Sequence, residues 1–487
     1  FKYPKVGEKN AEVSVFITDV AKLEKRKLPE PSGWSDYYVP RIQWMPGTGE
    51  LVVTYLNRLQ NHLVLRAYDA ARSGTVRILL EEKSPYYISI HDHLQFLPDQ
   101  EQFIWSSERN GWNQLLLFNY GGEFIRPLSD TGYDVTACYG YDENSNRLYF
   151  QAAVPRPEER RVLSVSLGGG AKDTVLNKPG WNSASFSSDY SYFIGRNATI
   201  NTPPTYTIMN AQGEVIRELV QNERLSDLQS VYSCQPIDFE QIQIDDSVSL
   251  NSFTLYPGDF DSTRQYPVLM HVYGGPNSQQ VVDNWKGKYY WWFQMLAQKG
   301  FIVVSVDNRG TGARGEAFRK MTYKQLGRIE SNDQIDAARL ISKKNYVDPD
   351  NVSIFGWSYG GYLSSLALLK GNDVFSLCFA VAPVTNWKWY DSIYTERYMQ
   401  TYERNEKGYD TNAPIFYADR LEGRYLLVHG LADDNVHFQH TAEMSNALIA
   451  ANKQFDTYLY PNRNHGIYGS NARRHLFDKI TNFLLKR

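Results

Sequence analysis

The sequence predicts two architectures in tandem. Residues 1–235 read as an all-β, propeller-like domain, and residues 236–487 as an open, mostly parallel α/β domain. Three observations support this. Short β-like segments recur through the first half at a period of ~45–50 residues, the size of a four-stranded propeller blade. From about residue 236, strand-like apolar runs alternate instead with helical patterns, as in a parallel sheet covered on both faces. A chain of 487 residues is also too long for one ordinary core.

In the first half, "ELVVTYLN", "QFIWSS", "RLYFQAAV" and "SYFIGR" are rich in β-branched and aromatic residues and are separated by turn signals. The stretch "IQWMPGTGELVVTYLNRLQNHLVLRAYD" resembles "LQFLPDQEQFIWSSERNGWNQLLLFNY", and two looser echoes come after it. Each unit reads as turn, strand, polar loop and strand. Four or five such units are too few for the larger propellers, so this domain is expected to be incomplete. The competing reading is an irregular β-sandwich. In the second half, "YPVLMHVYGG", "GFIVVSVDNRG", "NVSIFGWSYGG", "SLCFAVAP" and "RYLLVHG" are the strand-like runs. Between them, "DQIDAARLISKK", "YLSSLALLKG" and "HTAEMSNALIAA" carry helical patterns. Loops at the carboxyl ends of parallel strands form the binding crevice, so function is sought there.

Composition narrows the function classes. Lys plus Arg number 51 against 54 Asp plus Glu, so nothing favours a polyanion and nucleic acid is not an expected partner. Aromatic residues make up 14% of the chain, and 35 of its residues are Tyr, which suits strands and pocket walls. Cys138, Cys234 and Cys378 form neither a disulfide framework nor a metal-ligand spacing, and read as small buried hydrophobes. No metal or other cofactor is expected. No run of about 18 apolar residues suggests a membrane span. The start, "FKYPKVGEKN", has no signal-peptide pattern and no initiator Met, so a preceding segment or processing is expected.

The chemistry centres on "GWSYGGY", residues 356–362. A G-x-S-x-G between a buried strand and an apolar helix is the nucleophile elbow of the α/β-hydrolase fold, with Ser358 exposed at the tip. The bland reading is a small residue in a glycine-rich bend. A serine nucleophile needs a base, and the base an orienting acid, in the chain order Ser, acid, His. "RYLLVHG" runs into "LADDNVHFQH", placing Asp433 and Asp434 beyond a strand end. Spacing favours Asp433 slightly, with Asp434 open as the acid or a loop cap. "FDTYLYPNRNHGIYG" reads as a strand and a loop carrying His465, preferred over His429, His437, His440 and His475. An oxyanion hole takes one donor from the Tyr359 amide; the Tyr273 phenol is a candidate second donor, against the packing role its position alone suggests. "GTGARG" at 310–315 also matches G-x-G-x-x-G, but it does not follow the first strand and no acid stands about 20 residues on at a second strand's end, so it is a weak dinucleotide signal.

Several stretches together resemble the prolyl oligopeptidase group of serine peptidases, and within it the dipeptidyl peptidase IV branch. They are "HVYGGP", "VDNRGTGARG", "DQIDAARL", "GWSYGGY", "APVTNWKWYDSIYTERYM", "HGLADDNVHF" and "NHGI", in the family's order over roughly 270–470. The resemblance implies Ser358 as nucleophile, Asp433 as triad acid, His465 as base and Tyr273 as an oxyanion donor. It further implies a proline-sized pocket of Tyr359, Val384, Trp387, Tyr390, Tyr394 and Val436, with Asn435 binding the carbonyl before the proline. Without it, Trp387, Tyr390 and Tyr394 read equally well as a helical aromatic face in a core.

The chain departs from the branch in one respect. The family holds the substrate's free amino group with paired glutamates in a Trp-x-Tyr-Glu-Glu context. Here the only adjacent pairs, Glu81-Glu82 and Glu158-Glu159, lack it. The segment "YPKVGEKN" resembles the stretch just after the family's glutamate helix, so the chain is expected to begin downstream of that helix. The leading expectation is a serine exopeptidase releasing X-Pro, less readily X-Ala, dipeptides from peptides with proline at the second position. The alternatives are a tripeptidyl or acylaminoacyl peptidase with the same triad, and a non-catalytic propeller interaction protein. The resemblance also implies a homodimer and an extracytoplasmic (periplasmic or secreted) location.

Overall fold

A computed structural model describes residues 2–72, 76–91 and 93–486. Among the described residues, the first half contains four antiparallel four-stranded sheets, each a meander in chain order apart from small register shifts. They span Tyr37–Met45 to Val76–Lys83, Gln95–Leu97 to Phe124–Pro127, Val135–Asp142 to Asp173–Leu176, and Trp181–Phe186 to Val215–Val220. A two-stranded ribbon, Phe16–Asp19 with Glu24–Lys27, precedes them. The strands inside each sheet are buried on both faces because successive sheets stack. Leu63 and Leu65 meet Phe103 and Phe118; Ile104 and Leu117 meet Leu148 and Phe150; Val162 and Leu176 meet Phe193 and Met209. This is propeller packing, and the sequence repeat marks its blades.

The second half is built on an eight-stranded mixed sheet. Ile237–Gln243 and Ser249–Leu255 form an antiparallel edge. Ile302–Asp307, Tyr266–Val272, Val347–Trp357, Leu377–Val381, Arg424–Gly430 and Asp456–Tyr460 come next in spatial order, all parallel. Because strand side chains alternate, adjacent residues feed opposite cores. Met270, Val304, Ile354, Cys378 and Leu427 pack beneath the helices Arg328–Ser342, Tyr359–Lys370 and Gln439–Ala450. Leu269, Val303, Phe355, Phe379 and Leu426 pack beneath Lys288–Gln298 and Ala472–Leu485. The strand expected at "NVSIF" extends further, over Val347–Trp357, because its neighbours pair with it up to Trp357. The helix Tyr359–Lys370 is buried along all but its last residue, which explains why its sequence is apolar all round.

Buried ion pairs join the halves. Arg319 and Lys320 from the second half meet Glu108 from the first, and Arg319 also faces Asp134. The "GTGARG" loop belongs to this junction. Its Gly315 amide donates to the Asp134 carboxylate at 3.1 Å, and its Gly312 amide to the Ser278 carbonyl at 3.0 Å. Its amides thus serve contacts within the chain.

Candidate active site

Parallel strands deliver their carboxyl ends to one edge, so Tyr273, Ser358, Val384, Asp433 and His465 emerge together from five different loops. Ser358 sits between strand and helix at φ 59° and ψ −117°, a sparsely populated conformation that costs about 1–3 kcal/mol. Its glycines are required by close approach. A Cβ at Gly356 would lie 2.0 Å from the Gly360 carbonyl oxygen, and one at Gly360 would lie 2.2 Å from that of Val272. The Ser358 amide donates to the Val381 carbonyl at 2.8 Å, pinning the elbow to the next strand.

Asp433 is buried, whereas Asp434 is exposed. Its Oδ2 pairs with His465 Nδ1 at 2.7 Å, while Oδ1 accepts the Asn435 and Val436 amides at 3.0 Å each. Burial works to raise this carboxyl, but hydrogen bonds from His429 and His465, with their charge, outweigh it and hold it at about 2. His429, fully buried, lies 3.3 Å from Asp433 Oδ2; its Nε2 donates to the Val436 carbonyl and its Nδ1 meets the Thr441 hydroxyl. It braces the acid loop, a role its position at a strand end did not reveal. The His465 carbonyl accepts from Trp357 Nε1 at 3.1 Å, which ties the histidine loop to the residue preceding Ser358. Of the competing histidines, His440 is buried under Thr385, His437 stacks on Tyr3, and His475 bonds the Tyr460 hydroxyl.

Tyr273 lies against Tyr359, ring centroids 6.2 Å apart, with Gly275 wedged between them. Burial pushes its phenol above the usual range, so it stays a protonated donor at neutral pH. The expected pocket residues also come together. Trp387 stacks on Tyr394 at 5.9 Å and meets Tyr359 at 5.4 Å and Tyr390 edge-on at 5.6 Å. Val384 and Val436 are buried beside them. Trp387 lies in a short 3₁₀ turn and Tyr390 in extended backbone, so of these two and Tyr394 only Tyr394 stands on an α-helix, Ser392–Met399, and the three form no helical face. The Tyr390 hydroxyl donates to Asn435 Oδ1, coupling the pocket wall to the acid loop.

The helix Ser392–Met399 is clamped from the first half, a contact with no signal in the sequence. Arg58 grips the fully buried Glu396 with two bonds of 2.7 Å, and Gln60 bridges the Ile393 carbonyl and Arg397. Removing one partner of a buried pair strands the other charge, at about 3–5 kcal/mol. Arg58→Ala is therefore expected to lower the thermal unfolding midpoint by several degrees and to weaken substrate affinity, measured by calorimetry and KM. The adjacent glutamates lie elsewhere. Glu81 and Glu82 bond His62, Lys83, Trp105 and Arg109, and Glu159 bonds Arg156 and Arg161.

The fold and this constellation define an α/β-hydrolase carried behind propeller sheets. Residues 287–487 match the prolyl oligopeptidase family, and residues 1–204 match the dipeptidyl peptidase IV N-terminal region. The dipeptidyl peptidase 4 of Porphyromonas gingivalis, solved by crystallography, superposes over all of this chain and 69% of its own, with TM-score 0.95 and 38% identity. A putative dipeptidyl aminopeptidase IV from Bacteroides ovatus covers 99% of this chain and 71% of its own, with TM-score 0.90 and 28% identity. A probable dipeptidyl peptidase 4 of Emericella nidulans is 32% identical over 92% of this chain and 60% of its own length. The chain belongs to the prolyl oligopeptidase family, in its dipeptidyl peptidase IV branch. It spans about six-tenths of the length of the curated dipeptidyl peptidase 4 relatives it matches. Among the described residues no helix is long and apolar enough to cross a membrane.

Proposed function

We propose that this chain carries the catalytic centre of a serine exopeptidase that releases X-Pro, and less readily X-Ala, dipeptides from free amino termini. The observation that carries this reading is the 2.7 Å pairing of His465 with buried Asp433 at the sheet edge that also carries the strained Ser358. Ser358 Oγ attacks the carbonyl carbon of the second residue while His465 takes its proton. The resulting oxyanion receives hydrogen bonds from the Tyr359 amide and the Tyr273 hydroxyl. His465 then protonates the leaving amine, and water releases the dipeptide from the acyl-enzyme. Asp433 keeps the imidazole in the productive tautomer and stabilises its charged form.

The aromatic walls of Tyr359, Trp387, Tyr390 and Tyr394 fit a flat pyrrolidine ring, which supports proline at the second position. Asn435 is assigned to the carbonyl of the residue before it. The family likeness further supports a homodimer acting outside the cytoplasm, testable by sedimentation and by cell fractionation. The decisive assay compares X-Pro reporters with free and acetylated amino termini on the full-length gene product. Cleavage of the free form alone, with a dipeptide released, is expected. Equal rates on both, or release of a tripeptide, overturn the dipeptidyl assignment.

A further inference from the structure

Behind the proposed pocket lies a fully buried carboxylate that the mechanism does not use. Glu330 stands in the first turn of the helix Arg328–Ser342, at 0% exposure. Its Oε1 accepts a hydrogen bond of 2.8 Å from the Tyr359 hydroxyl, and its other oxygen has no hydrogen-bond partner among the described residues. Burial pushes this carboxyl up to about 7. The groups with charge or titrating protons around it are Asp333 on its own helix and Tyr359, Tyr362 and Lys370 on the facing one. Lys370 bonds Ser331 and Asn332, so it does not bridge directly to Glu330. A carboxyl so placed is costly to bury, and a leucine would pack there at less cost.

The residue that Glu330 holds explains its presence. Tyr359 directly follows Ser358, and its amide and its ring have separate uses in the proposed reaction. Tyr362, one turn on, sends its own hydroxyl past Gly327 to the Leu326 and Asn412 carbonyls at 2.7 and 2.8 Å. A Cβ at Gly327 would lie 1.9 Å from that hydroxyl. The start of the helix Arg328–Ser342 is thus a socket receiving two tyrosines of the elbow helix, and Glu330 bonds the one assigned to the proposed pocket.

We propose that Glu330 is a positioning residue that sets proline selectivity by anchoring the Tyr359 ring through its hydroxyl. The proposal rests on the exopeptidase reading above. Its test uses Glu330→Leu, Glu330→Gln, Tyr359→Phe and the Leu/Phe double variant of the full-length protein, with X-Pro and X-Ala reporters. Loss of the anchor, through Leu or Phe, is expected to raise KM for X-Pro about tenfold, with less effect on kcat or on X-Ala. The double variant is expected to be no worse than either single one, because both remove the same bond. Gln still accepts the hydroxyl and is expected within about threefold of wild type.

Fluorophosphonate labelling of Ser358 is the check that each variant retains a folded elbow. Should Leu prevent folding, Phe and Gln decide alone. Additive penalties in the double variant, equal losses on X-Pro and X-Ala, or a Phe variant matching wild type overturn the assignment of Glu330. A wild-type protein that labels at Ser358 but cleaves neither reporter overturns the exopeptidase reading, and the proposal with it.

Discussion

Asp433→Asn is expected to lower kcat by about 10⁴-fold while changing KM less than tenfold. The carboxylate accepts the His465 Nδ1 proton at 2.7 Å and is itself oriented by two backbone amides. An amide in its place turns one oxygen into a donor, so the imidazole adopts the wrong tautomer and can no longer take the serine proton. The loop should survive, because the remaining oxygen can still accept the Asn435 and Val436 amides. The acid response should change with it. The Asp433 carboxyl is held at about 2, below its unfolded value of about 3.9, so its pairing stabilises the fold above about pH 4. That contribution is lost as pH falls towards 2. Unfolding midpoints measured across this window should fall less steeply for the Asn variant.

Tyr273→Phe carries the second large effect. One oxyanion donor contributes about 10²–10³-fold in kcat, because it bonds the charge that develops in the transition state. The ring of Tyr273 packs against Tyr359 and should stay in place without its hydroxyl. Steady-state kinetics on an X-Pro reporter should therefore show kcat falling into that range with KM nearly constant. An unchanged kcat would return Tyr273 to a packing role.

The elbow was legible because its demands are local. Gly356 and Gly360 leave no room for a Cβ, and such crowding leaves a mark within a few residues. His465 was legible through chain order, since parallel strands send their loops to one edge. The choice between Asp433 and Asp434 was not, because adjacent residues share a spacing and differ only in burial and partners. The aromatic pocket came from family likeness: residues at 359, 387, 390 and 394 lie on several kinds of backbone and have no single periodicity. Contacts across large sequence separations were invisible. The Arg58–Glu396 clamp and the buried socket at Glu330 arise only when distant elements meet, and their residues look like ordinary surface charges in the sequence.

The repeat likewise revealed stacked sheets but not their packing, which depends on which strand faces meet. Leu63 comes from one sheet and Phe103 and Leu116 from the next, yet all three belong to one cluster.

The central claim is that Ser358 is an activated nucleophile. Fluorophosphonate treatment of the full-length protein, followed by peptide mass spectrometry, tests it most directly. One adduct is expected, on the peptide carrying Ser358, absent in Ser358→Ala and strongly slowed in His465→Ala. A folded protein that forms no adduct at Ser358, or one that labels equally well without His465, would contradict it.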